Sequence, residues 1–184
     1  MTKKTKFIIT TTWILLTRSY DAYCTNQLTP DLSKEINPLV SVLSMTWTPL
    51  LLTLAILITY SIYTYYLTVF KTKNLLPTQR GFSLSNIIAF TYLGQKDSWT
   101  AILYKFPKDI SRFNQYMGHI MTRCLVFVGF VSTAMWILIN YTDYYEKFHS
   151  PTFIYLFIVF GCAWIIYKWN KEMFIQYLAT STDR

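Results

Sequence analysis

Apolar residues in this chain fall in long blocks separated by short polar breaks. The cleanest block runs from Ile36 to Phe70, 35 residues without one Asp, Glu, Lys, Arg or His. Its second half, Thr48–Phe70, is apolar almost throughout, and a helix needs roughly 20 such residues to cross a bilayer core. Inside lipid the backbone must satisfy its own hydrogen bonds, so the block predicts a membrane-spanning helix over about 46–70. A second block predicts a span over about 117–141: it carries no charge from Cys124 to Thr142, and Arg123 near its start can snorkel to the interface. A third predicts a span over about 152–168, after which Trp169, Phe174 and Tyr177 sit at belt-like positions in an amphipathic extension.

The amino-terminal block is weaker. MTKKTK gives way to FIITTTWILL, the pattern of a secretory signal, but no small-x-small cleavage site follows. An uncleaved span over about 7–28 is expected, with Arg18 and Asp21 inside it. Each charge near the centre of a span costs about 2.5–3.5 kcal/mol. The two lie three residues apart, on one helix face, where they can pair. Intramembrane charges often mark ion or proton paths, and the plainer alternative is a pair that fixes one helix against its neighbours.

Between the spans lie two short turns and one long polar segment. Gln27–Pro38 is a turn in which Ser33 is a candidate helix cap, with Asn37–Pro38 near the helix start. Asn140–Pro151 is the second turn and holds the solitary His149. Residues 71–115 form the long segment. Within it Leu84, Ile87 and Ile88 have helical spacing, as do Trp99, Ile102, Leu103 and Phe106 after the candidate caps Asp97 and Ser98. Both stretches predict short amphipathic helices, the second ended by Pro107, which can itself open the helix leading into the third span.

Charge sets the orientation. With the amino terminus in the cytoplasm, thirteen Lys and Arg lie on the inner flanks, seven of them in 71–115, against Lys34 and Lys147 in the outer turns. That bias follows the positive-inside rule. The expected fold is therefore all-α: a single polytopic membrane domain over 1–184 with four transmembrane helices, both termini cytoplasmic, and short amphipathic helices in the middle loop. Hydrophobic residues are 53% of the chain and charged residues 14%, too apolar a balance for an ordinary soluble domain. The net charge of +8 sits in separate patches between apolar blocks, which argues against direct nucleic-acid binding.

No catalytic, cofactor-binding or metal-ligating set is legible. Cys24, Cys124 and Cys162 lie far apart without metal-site spacing. Five glycines form no phosphate-cradling loop, and no His–carboxylate pattern accompanies a Ser or Cys nucleophile. Arg112 and His119 flank FNQYMG, which resembles the catalytic motif of nucleotide-cleaving helical domains; with no second feature of that fold, they read as interfacial residues at a span entrance. Lys96, Trp99, Lys105, Lys108 and Arg112 make the candidate surface for a partner or for lipid, and Arg18 with Asp21 the candidate intramembrane site.

Three resemblances bear on role. Asn37-Pro38-Leu39, then Pro49 and an apolar run ending at Phe70-Lys71, is similar to the second span of immunity proteins against pore-forming colicins, though no Leu-Thr-Thr-Ala-Gly stretch precedes the last span. That likeness implies a four-pass inner-membrane protein with both ends inside. Asp21-x3-Thr25 followed by Glu35-x-Asn37-Pro38 resembles a motif of small uncharacterised prokaryotic membrane proteins, which implies no activity. The overall plan, a short four-pass chain with a basic inner face, resembles the membrane subunit of the Kiwa antiphage system. It implies a noncatalytic sensor or anchor in the inner membrane that works with a cytosolic protein partner; a homo-oligomer is a further expectation. The other expectations from sequence are a colicin immunity protein, a small oligomeric ion channel using Arg18 and Asp21, and an accessory subunit of an organellar membrane complex.

Overall fold

In a computed structural model describing residues 1–33, 35–143 and 150–182, every regular element is helical. The elements are α1 (Lys3–Leu28), α2 (Pro38–Ser41), α3 (Trp47–Phe70), α4 (Leu84–Leu93), a 3-10 turn (Trp99–Leu103), α5 (Ile110–Tyr141) and α6 (Pro151–Thr182). Three of these are long and apolar enough to cross a membrane: α3, α5 and the stretch Pro151–Thr180 of α6. α1 has 26 residues, but its threonines and the charges of Arg18 and Asp21 dilute its apolar run below that mark. Much of the apolar surface points outward, as on α6, where Phe153, Phe160 and Trp164 are about two-thirds exposed. Apolar area on that scale marks a surface that meets lipid or protein rather than water.

α5 is the central helix, with α1, α3 and α6 packed around it. The close approach of α3 depends on Gly118. A Cβ there would press on the Thr64 carbonyl and come within 2.7 Å of Thr68 Cγ2. Thr64 and Thr68 turn their hydroxyls back onto their own helix, Thr64 to Tyr60 O and Thr68 to Tyr65 O, so the tight seam buries no unpaired hydroxyl at either position. Gly129 serves the same purpose for α1, since a Cβ would meet Thr17 Oγ1 at 2.7 Å. α1 and α5 run in the same direction, while α3 and α6 run against them.

Residues 71–109 fold into a cap at one end of the bundle, where α1 and α5 begin and α3 and α6 end. Gln115 of α5 clamps its first turn, donating Nε2 to Lys71 O at 2.5 Å and accepting from Lys73 N at 2.8 Å. α4 starts at Ser83 with a capping box to Asn86 and stops at Gly94, whose φ of 79° suits only glycine without strain. The cap has its own core. Leu75 packs with Tyr116, Trp169 and Met173, and Phe82 and Ile87 pack with Tyr177. The last turns of α6 thus fold onto the cap, with the Tyr177 hydroxyl accepting from Phe82 N and donating to Gln79 O.

Local details differ from the sequence expectations in two places, and a third refines them. Asn37, not Ser33, caps the helix after the first turn, accepting from Leu39 N, and that helix is the four-residue α2. Ser33 instead donates to Asp31, its backbone and hydroxyl both within reach, and these bonds hold the Asp31 carboxyl below its ordinary range. The second amphipathic stretch forms a 3-10 turn rather than an α-helix, because only five residues separate the Ser98 cap from Tyr104 and Pro107 follows. α5 opens at Ile110 under the Asp109 cap, close behind Pro107 where the sequence offers a helix start, so residues 110–115 of the long polar segment are helical.

Candidate functional site

The Arg18–Asp21 pair and its polar partners lie on the seam between α1 and α5. Trp13 donates its indole N–H to Val126 O at 3.4 Å and lies against Phe130, 4.3 Å between ring centroids. Further along α1, Arg18 Nη1 pairs with Asp21 Oδ2 at 3.3 Å and Nη2 donates to Ser132 Oγ at 2.5 Å. Trp136 Nε1 donates to Asp21 Oδ1 at 2.7 Å. Asn140 then reaches Cys24 Sγ at 3.7 Å. The expected Arg18–Asp21 pair therefore forms, and α5 supplies a second partner to each charge. Ser132 and Trp136 escaped the sequence reading. Their signal was present as a stripe, Gly129, Ser132, Trp136 and Asn140, repeating every three or four residues through an apolar helix.

This seam forms one wall of a cavity of about 700 Å³. The cavity occupies the half of the bundle away from the cap. Most of its lining is aliphatic, including Leu15, Leu54, Ile58, Leu125, Met135 and Ile158. The polar exceptions include Arg18, Asp21 and Ser132 on the seam and Glu35 and Tyr155 at the loop end. Tyr155 of α6 donates its hydroxyl to Glu35 Oε1 at 3.1 Å, and the same oxygen accepts from Asn37 N at 2.8 Å. Glu35 and Tyr155 also went unread, because only the fold brings residues 120 positions apart into contact.

The expected partner surface divides when placed on the cap. Lys96 Nζ donates to Gly81 O at 3.1 Å and lies over the Phe82 ring, bracing the loop before α4. Lys105 pairs with Asp97 at 2.6 Å; the bond holds the Asp97 carboxyl below its ordinary range and raises the Lys105 ammonium. Arg112 turns inward, donating Nη1 to Leu75 O at 2.9 Å with its guanidinium 4.4 Å from the Phe90 ring centre. Trp99 and Lys108 face out. Beside them stand Leu103, Tyr104, Phe106 and Ile110, with Phe106 93% exposed. The outward surface of the cap is thus more apolar than its lysines alone suggest.

Arg112 and His119 do not meet. His119 Nδ1 lies 3.2 Å from Arg123 Nη1, and its ring stacks on Trp169. His149 lies outside the described residues. Among the described residues no three His, Cys, Asp or Glu gather as a metal site. Comparison with protein-family models, with curated proteins and with solved structures returned no match.

Proposed function

We propose that this chain is a noncatalytic, four-pass integral protein of the cell inner membrane, the sensor or anchor subunit through which a cytosolic protein partner is held at the bilayer. In this reading α1 is the fourth span and both termini, with the cap, lie in the cytosol. The partnering of Arg18 and Asp21 supports the fourth span, since each charge inside lipid meets an opposite charge and a polar side chain from α5. The thirteen inner-flank cations support the orientation.

The observation that carries the role is the cap. It is a folded unit, and it leaves Trp99, Leu103, Tyr104 and Phe106 exposed, with the exposed Lys105 and Lys108 interspersed among them in sequence and Ile110 exposed at the start of α5. An apolar patch rimmed by charge marks a place of contact, and aromatic residues are what interface centres favour. The likeness of plan to an antiphage membrane subunit supports a bacterial defence context.

Two measurements test this reading. A single cysteine placed at position 96 should react with a membrane-impermeant maleimide only after cells are broken; labelling from outside intact cells overturns the topology. A photo-reactive residue at Leu103 or Phe106 should then yield one discrete protein adduct that disappears with Lys108→Glu. Adducts to lipid alone overturn the partner role, and protection against a pore-forming toxin by this gene alone would favour an immunity protein.

A further inference from the structure

The cavity beside Arg18 is a built site for which the partner-binding role above has no use. Its volume of about 700 Å³ falls within the range of roughly 300–1,000 Å³ typical of small-molecule pockets. Its chemistry is that of such pockets too, aliphatic over most of the wall with a few convergent polar groups. α6 packs on α5 but not along α1 or α3, so the four helices leave a slot rather than a closed core. In a bilayer that slot faces acyl chains, and a chain is what its aliphatic lining solvates.

The polar groups narrow the occupant. Arg18 engages one contact through each terminal nitrogen, and its Nε is buried without a hydrogen-bond partner. Both oxygens of Asp21 are already used, by Arg18 and by Trp136. Among the described residues Glu35 engages through Oε1. A purely anionic head would find an acceptor-hungry guanidinium but meet two carboxylates. A purely cationic head would suit Glu35 and leave Arg18 short of acceptors. A head carrying both a phosphate and an ammonium satisfies each.

We infer that the cavity binds a zwitterionic amphiphile, one chain along the aliphatic wall between α3 and α6, its phosphate toward Arg18 and its ammonium toward Glu35. The inference rests on the membrane placement of the bundle but not on the partner role. A failed partner experiment leaves it standing, and its own failure leaves the cap reading untouched.

The test is native mass spectrometry of the protein extracted from vesicles holding equal parts phosphatidylethanolamine, phosphatidylglycerol and a free fatty acid. One retained phosphatidylethanolamine per chain is expected. Retention of phosphatidylglycerol or fatty acid instead overturns the zwitterionic assignment, and retention of nothing overturns the site. Arg18→Gln should lower the retained fraction about tenfold, the equivalent of one charge-assisted hydrogen bond. Because that variant also alters the seam, Ala22→Phe provides a second arm: it projects bulk into the cavity from α1 and leaves Arg18, Asp21 and Trp136 in place. It should lose the lipid while keeping the helical circular-dichroism signal and thermal midpoint of the parent. Undiminished retention in Ala22→Phe would place the lipid elsewhere on the surface and overturn the proposal.

Discussion

Trp136 of α5 donates its indole N–H to the Asp21 carboxylate of α1 at 2.7 Å, and that bond makes an intrahelical ion pair part of a helix–helix seam. Arg18 and Asp21 alone would stabilise only α1. With Trp136 and Ser132 added, the charges specify which face of α5 the helix meets and at what height. Removing the indole donor while keeping an aromatic ring isolates this contribution. Trp136→Phe should cost about 0.6 kcal/mol, the average measured for hydrogen bonds between helices in a membrane, and at most about 1.7. Unfolding equilibria in mixed micelles would check it.

Asp21→Ala should cost more than Trp136→Phe, because it strands the Arg18 guanidinium with Ser132 as its remaining side-chain partner. The Arg18 side chain is only 17% exposed, so water replaces little of what is lost. Replacing both charges, as Arg18→Met with Asp21→Leu, should recover most of the loss, since it removes the stranded cation along with the pair. A double variant less stable than Asp21→Ala would show that the charges hold the seam together in some way beyond their mutual compensation. The same micelle titration decides between these outcomes.

Gly118→Ala tests the second seam. Its new methyl would meet the Thr64 carbonyl and the Thr68 methyl, backbone and short side chain that have no room to swing away. Overpacking of this kind costs about 1–3 kcal/mol, and α3 should shift outward from α5. Gly81→Ala is the matched control. Its φ of 79° adds backbone strain, but nothing lies within 4 Å of the new methyl. Cysteine pairs engineered across α3 and α5 should crosslink more slowly in Gly118→Ala and at the parental rate in Gly81→Ala.

These contacts show what a single sequence can and cannot carry. Local apolar spacing was legible: Leu84, Ile87 and Ile88 predict a short helix, and α4 covers them, while its ends, a Ser83–Asn86 capping box and the left-handed Gly94, went unread. The pairing of Arg18 with Asp21 was legible because both stand on one turn of one helix. The start of α5 close behind Pro107 was legible, although residues 110–115 sit in a stretch whose polarity suggests a loop. Asn114 and Gln115 are polar for another reason: Asn114 accepts from the Tyr60 hydroxyl, and Gln115 clamps Lys71 and Lys73. Apolar pattern reports where lipid would lie, whereas helix limits are set by caps, and the two coincide only by accident. The cap core and the cavity stayed hidden because they join residues from opposite ends of the sequence, such as Phe82 with Tyr177 and Glu35 with Tyr155.

Asp109 gives the entrance of α5 an acid dependence. Its carboxylate accepts from Arg112 N at 3.0 Å, and that bond, aided by nearby Lys73 and Arg112 charges, holds its pKa below the ordinary carboxylate value. A depressed folded-state pKa stabilises the fold above the unfolded value and ceases to do so as pH falls through the folded one. Amides of residues 110–113 should therefore lose protection, measured against the intrinsic exchange rate at each pH, as the pH drops below about 4, the ordinary Asp range, with little change at neutral pH. Asp109→Asn should keep the cap, since asparagine also accepts at that position, while removing the acid response. Hydrogen exchange at several pH values reads both effects.

Tyr177 ties the end of α6 to the cap, and its hydroxyl can be removed without touching its ring. The ring packs edge-on to Phe82 at 6.0 Å and should remain in place in Tyr177→Phe. The hydroxyl, however, is the acceptor for the Phe82 amide and the donor to Gln79 O. Its loss leaves a buried backbone N–H unsatisfied, at a cost of about 1–3 kcal/mol. Because these bonds lie at the far end of α6, the penalty should stay local: amides of residues 79–87 should exchange faster, while those of α3 and the middle of α5 keep their parental protection. If protection fell throughout the bundle, the cap and the membrane-length helices would have to fold as one cooperative unit, with the α6 extension its keystone rather than a strap across the cap.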